Sequence, residues 1–294
     1  MTASDALSRR VFLARVGVLG AAFGTGGLLR SDVAGAGPLQ LPPVGVGTLQ
    51  PVLAELARDT LNGLTTFVVP GPDAYSRSQG TPRTEPGALD AKATDFMIQA
   101  LDNFVPLPQE LLRPVVTGLA TASADLGVLL PLELQQLLPD TVSRLDRLLG
   151  LVLADDETLP LSLVIALLLN LVATQVNPLA INGPFLSPFA RLSYADKAKA
   201  FSLVEGADPD IVGVLDASLP EPLHESVSGL LRFVGGALLE FPAFGSYSEW
   251  AVFDRTTRTL TSTPVGWGLT GYGGTSDGWD ELKGYYQDRT EVSD

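Results

Sequence analysis

The 294-residue chain contains no cysteine and a single histidine, His224. Without cysteine it can form no disulfide, thiolate zinc site, cysteine-ligated iron–sulfur cluster or C-x-x-C-H haem attachment, and it has no cysteine nucleophile. One histidine excludes a multi-histidine metal centre. Basic residues are scarce too: 19 Lys and Arg stand against 33 Asp and Glu, a formal charge of −14. That balance repels phosphate backbones, so nucleic acid is not an expected partner. Gly71, Gly80 and Gly87 do not fall in the G-x-G-x-x-G order of a dinucleotide fingerprint, and no G-x-x-x-x-G-K-[ST] occurs. The chain is therefore not expected to hold a nucleotide of its own.

What is abundant is apolar side chain, at 46% of residues against 18% charged. A chain of this length and composition can bury a substantial core. The first informative segment is Ser8-Arg9-Arg10-Val11-Phe12-Leu13, followed by the Gly-rich apolar run from Val16 to Leu29. Paired arginines directly before Phe12 and Leu13 fit a twin-arginine export signal, whose guanidinium pair a translocase receptor reads as an address. The run is too short to span a hydrocarbon core, which needs about 20 apolar residues. Ala34 and Ala36 place small side chains where a signal peptidase reads them. Residues 1–36 are thus expected to be a signal peptide, residues 37–294 the exported protein, and the periplasm or cell envelope its location.

Along the exported part the apolar spacing is that of helices. The predicted segments are Thr48–Val69, Ala88–Phe104, Glu110–Leu130, Leu132–Leu138, Thr141–Ala154, Leu161–Val176, a helix capped by Ser193, and Val227–Phe241. Leu161–Val176, bounded by Pro160 and Asn177-Pro178, is the most apolar of them. It reads as a central buried helix rather than a membrane span. Pro70 to Gly87 reads as a long loop, because its prolines and glycines cannot continue a helix. From Pro242 onward helical periodicity fades, glycine becomes frequent, and Trp250, Trp267 and Trp279 all appear. The predicted fold class is mainly α: a single helical domain with an aromatic, Gly-rich C-terminal cap.

Chemistry-bearing clusters are few. His224 lies in a polar break, where a solvated or capping role is expected. Asp155-Asp156-Glu157 and Asp277, Asp280 and Glu281 offer paired carboxylates, and a cofactor-free hydrolase would depend on such a pair. The stretch from Gly273 to Asp280 could also wrap a calcium ion, though without the alternating ligands of an EF-hand loop. Each is read as a solvated face or a tight turn, and no catalytic or metal-ligating residue is assigned.

Several stretches, in this order, resemble the gluconate 2-dehydrogenase subunit 3 family: the signal at Ser8–Leu13, Phe67-Val68-Val69-Pro70 with its Gly-Pro-Asp loop, Pro86-Gly87-Ala88, Phe189-Ala190-Arg191-Leu192-Ser193 with Asp196-Lys197, and Gly266-Trp267-Gly268 with Gly271-Tyr272-Gly273-Gly274. The resemblance implies an exported accessory subunit that carries no redox centre itself. Its partner would be a glucose–methanol–choline type flavoprotein dehydrogenase holding FAD, with a cytochrome subunit as electron acceptor. Large aromatic side chains dominate interface energetics, so Tyr75, Tyr247, Trp250, Trp267 and Tyr272 are the candidate partner contacts. The alternative is a free-standing exported helical protein that holds an apolar ligand between Leu161–Val176 and Val227–Phe241.

Overall fold

The computed structural model describes residues 46–103, 109–125, 127–136, 138, 142–154, 159–206, 212 and 227–274. The signal residues Arg9, Arg10, Phe12, Leu13, Ala34 and Ala36 lie outside them, as do His224, Asp155–Glu157, Asp277, Asp280 and Glu281. The described chain is mainly helical.

Helix α1, Val46–Val68, buries Val52, Leu53, Leu56, Ala57, Leu61 and Leu64 at the 3.6-residue spacing that places them on one face. Helix α2 is Ala74–Gln79 and α3 is Ala93–Asn103. Helix α4, Gln109–Asp125, and α6, Leu145–Ala154, pack on each other, with the short α5, Leu132–Gln135, between them in sequence. Helix α7, Leu161–Val176, has thirteen consecutive buried residues, Leu161 to Ala173, because α1, α3, α4 and α9 all pack on it. No helix among the described residues is long and apolar enough to cross a membrane. Helices α8, Pro188–Arg191, and α9, Tyr194–Glu205, follow a 3-10 turn at Pro178–Ile181. The long α10, Val227–Tyr247, lies against α1, α3 and α9. A two-stranded antiparallel hairpin, β1 Phe253–Asp254 and β2 Thr259–Leu260, and the short α11, Val265–Thr270, finish the described fold.

Tertiary polar contacts complete what local sequence leaves open. Pro160 cannot cap α7, and Asp102 of α3 does so instead: its carboxylate accepts from Ser162 N at 2.8 Å and Ser162 Oγ at 2.9 Å. A carboxylate at the positive end of the helix dipole satisfies donors that otherwise lack partners. Asp90 and Asp95, also on the expected polar face of that segment, accept from Gly87 N at 2.8 Å and pair with Arg58 at 2.6 Å. At the start of α9, Ser193 Oγ accepts from Asp196 N at 3.1 Å, as its sequence position predicts.

Several segments differ from expectation: α4 ends at Asp125 rather than Leu130, α5 ends at Gln135 rather than Leu138, and α6 begins at Leu145 rather than Thr141. Pro70–Gly87 is not all loop, because Asp73 caps α2 by accepting from Ser76 N at 2.8 Å, and Gly80 ends it in the left-handed conformation at φ 93°. The segment is closed at its base, where Ala88 N donates to Val69 O at 3.0 Å and Gly71 and Gly87 press backbone on backbone. A Cβ on Gly87 would lie 2.6 Å from Gly71 N. Helix α3 begins at Ala93 rather than Ala88, since the chain first turns through Lys92 at φ 53°. Helix α10 continues through Pro242 to Tyr247. Proline removes one ladder bond, but Pro242 and Gly245 are buried there, and Gly245 is seated against the Phe96 ring.

Candidate functional site

Two arrangements of side chains stand out, one open and one buried. The open one is a hollow of about 760 Å³ where the end of α10, the hairpin and α11 meet. Its walls include Phe244, Tyr247, Trp250, Phe253, Trp267 and Tyr272. Helix α11 reaches this position because Gly266 lies directly on the backbone of Tyr247; a Cβ there would stand 2.4 Å from the Tyr247 carbonyl oxygen. Trp250 packs edge-on against Phe96 at 5.6 Å, which anchors it to α3. Trp267 donates from Nε1 to Glu249 Oε1 at 2.9 Å and meets Tyr272 edge-on at 5.0 Å.

Four of the five aromatic residues singled out in the sequence, Tyr247, Trp250, Trp267 and Tyr272, therefore line one concavity. Several walls remain open to solvent: Phe244 is 64% exposed, Tyr272 52%, Tyr247 46% and Phe253 45%. Contiguous exposed aromatic surface of this kind marks interaction sites, because a folded chain otherwise covers it. Arg258, held at φ 55° in the hairpin turn, adds a cation to the rim.

Tyr75 is elsewhere. It stacks on Phe185 at 4.3 Å, donates from its hydroxyl to Asp59 Oδ1 at 2.6 Å, and accepts from Asn62 Nδ2 at 3.2 Å. It belongs to the second arrangement, a buried polar network that ties α1, α2, α7, α8 and α9 together. Asp59 also accepts from Ser187 N at 2.8 Å. Asn170 of α7 donates to Thr60 Oγ1 at 2.9 Å and accepts from Ser187 Oγ at 2.7 Å and Phe189 N at 3.1 Å. Lys197, fully buried, donates from Nζ to Gly63 O at 2.8 Å and Gln79 Oε1 at 2.7 Å, with the Phe189 ring centroid 5.5 Å away.

Burial shifts these groups in opposite directions. Loss of hydration raises the Asp59 carboxyl to about 6, against the lowering effect of its bonds from Tyr75 and Ser187. The same loss lowers Lys197 to about 7, with Asp73 and Asp59 opposing it through their charge. Burial, and then the Asp59 charge, push the Tyr75 phenol well above its usual value. Periodicity did not single out Asp59, Asn170 or Lys197, because it cannot say which polar side chains turn inward.

The C-terminal part carries two further glycine spacings. Gly266-Trp267-Gly268-Leu269-Thr270-Gly271 has the order G-x-G-x-x-G. It lies within the six-residue α11, and the strand before it, β2, is a two-residue arm of an antiparallel hairpin, so it lacks the parallel βαβ setting that gives those glycines their dinucleotide role. Gly274-Thr275-Ser276-Asp277-Gly278 has the order G-x-S-x-G, and its serine lies outside the described residues.

Helix α9 packs on both α7 and α10. No protein-family model, no curated protein and no solved structure matches the chain. The likeness to the gluconate 2-dehydrogenase subunit 3 family rests on the motifs quoted for it.

Proposed function

We propose that this chain is an exported accessory subunit that docks a flavin-dependent dehydrogenase through the aromatic hollow and contributes no redox chemistry itself. The observation that carries the docking role is the convergence of Tyr247, Trp250, Trp267 and Tyr272 on one open concavity. Anchoring aromatic side chains of this kind supply most of the binding energy of an interface when a partner desolvates them. The identity of the partner, and the periplasm or envelope as the place of assembly, rest on the sequence resemblance and on the Arg9-Arg10 signal. A twin-arginine route carries folded cargo, which suits assembly with a cofactor-bearing subunit before export. In such an assembly the buried Asp59–Asn170–Lys197 network serves to fix the helices that present the hollow.

The test is affinity purification of the tagged chain from its native envelope. Stoichiometric recovery of a protein with the visible absorption of bound flavin supports the assignment, and Trp267→Ala should lower that recovery at least tenfold. Recovery of the chain without a flavoprotein, or turnover of a substrate by the isolated colourless chain, would overturn it.

A further inference from the structure

Between Pro70 and Gly87 the chain is held to the body by polar contacts almost alone. Pro72, Arg77, Ser78, Gly80 and residues 82–86 are exposed, and no apolar side chain of the segment belongs to the buried core. Its inward contacts come from two residues of α2. Tyr75 donates to Asp59 and stacks on Phe185. Gln79, 3% exposed, donates from Nε2 to Thr66 O at 2.8 Å and accepts from Lys197 Nζ at 2.7 Å, so one carboxamide joins α2 to both α1 and α9. A six-residue helix does not persist without such contacts. Segments with so little apolar burial open locally, well below the free energy of global unfolding.

The Gln79 contact ends on an amine that has no counter-ion. Lys197 makes no ion pair among the described residues, and its two acceptors, Gly63 O and Gln79 Oε1, are neutral. Two acceptors match the two N–H bonds of a neutral amine. The third N–H of an ammonium would find only the Phe189 ring, 5.5 Å away, and a buried charge without close compensation is strongly unfavourable. Few charged groups surround this site. Asp59 of α1 and Asp73 at the head of α2 act on Lys197 through their charge, Arg191 of α8 acts on Asp59, and Tyr75 keeps its proton. Helix α7 brings no titratable side chain, and Glu240 of α10 is exposed. On α9 itself Lys199 and Glu205 are exposed, and Asp196 is engaged by Ser193.

We infer that residues 70–87 are a proton-operated strap: while Lys197 is neutral the strap is fastened to α1 and α9, and a proton taken by Lys197 releases it. Opening lets water reach the amine, so the open form is the better base. Lys197 titrates at about 7 in the closed form and near 10.5 once hydrated, so opening gains up to about tenfold for each pH unit from 9 down to 7 and then levels off. Asp59 works in the opposite sense. Departure of Tyr75 hydrates its carboxyl, whose value of about 6 in the closed form falls toward 3.8, so below pH 6 added protons close the strap again. Opening is therefore greatest between pH 6 and 7. The device is independent of the docking reading, since neither Lys197 nor Asp59 borders the hollow.

The test is amide hydrogen exchange of the full chain from pH 5 to 9, each rate divided by the intrinsic rate of an unprotected amide at that pH. Thr81 and Arg83, whose N–H groups donate to Ser76 O and Gly71 O, report on the strap, and the amides of α7 report on global unfolding. From pH 9 to pH 7 opening at Thr81 and Arg83 should increase at least tenfold, and from pH 6 to pH 5 it should fall at least twofold, while α7 stays protected throughout. Lys197→Met should abolish the rise between pH 9 and 7. A flat profile of the native chain over that interval overturns the inference, and this measurement needs no variant. So does a rise that α7 shares, a rise that persists in Lys197→Met, or opening that keeps climbing below pH 6.

Discussion

Replacing Lys197 by Met keeps the length and most of the volume of the buried stem and removes only the ammonium group. In the folded chain Lys197 titrates at about 7, whereas an exposed lysine titrates at about 10.5. Between those values the unfolded chain binds a proton that the folded chain does not. Stability from this group is therefore fully present above about 10.5 and is lost as pH falls toward 7. The limiting slope is about 1.4 kcal/mol per pH step, and integration from pH 7 to pH 9 gives roughly 2 kcal/mol. Urea unfolding at pH 7, 8 and 9 should show the native chain gaining that amount relative to Lys197→Met across the interval. The absolute offset between the two proteins is less informative. Met relieves the burial of charge but leaves Gln79 Oε1 without its donor, a loss of about 1–3 kcal/mol of opposite sign. Asp59 acts on the other side of neutrality: its carboxyl is raised to about 6, so its contribution is full below about 3.8 and is lost as pH rises through 6. Parallel stability curves for the native chain and Lys197→Met between pH 7 and 9 would refute the reasoning, since they would mean that Lys197 keeps its proton throughout.

Other perturbations test separate parts of the structure. Gly87→Ala forces a methyl to within 2.6 Å of Gly71 N, so the base of the 70–87 segment should open; limited proteolysis within residues 74–86 should accelerate at least tenfold, and an unchanged cleavage rate would contradict the close approach. Asp102→Ala removes the tertiary cap of α7 and should lower stability by about 0.5–2 kcal/mol in urea titrations, whereas Asp102→Asn should recover part of that loss. Changing Arg9-Arg10 to Lys-Lys should leave the protein in the cytoplasmic fraction; undiminished export would remove the twin-arginine assignment.

Where elements are bounded by strong local signals, the sequence is readable almost to the residue. Pro160 and Asn177-Pro178 delimit α7, and the predicted and observed limits coincide. Ser193 likewise announces α9 through its hydroxyl. Legibility fails where punctuation residues have tertiary uses. In 70–87 the prolines and glycines conceal Asp73 and Gly80, which are themselves the start and stop signals of a one-turn-and-a-half helix. Pro242 looks like a terminator, yet it is buried and α10 runs past it to Tyr247, with Gly245 seated on Phe96 of α3. Four hollow-lining aromatics could be found from composition because they cluster within 26 residues of the chain, Tyr247 to Tyr272. Tyr75 could not be separated from them, because its destination depends on Asp59, one helix earlier.

A rod that is oily on every side has no intrinsic reason to prefer one azimuth over another, and α7 is such a rod. Asn170 works as a key in a slot: only one rotation about the helix axis brings its amide to Thr60, Ser187 and Phe189 together. An Asn170→Leu chain should retain its helical circular dichroism and stay compact while losing near-ultraviolet signal and sharp side-chain resonances, because the oily cylinder would then spin among several seatings. If that variant keeps a single set of well-dispersed resonances, side-chain shape alone sets the bearing of the central helix, and the amide is merely tolerated.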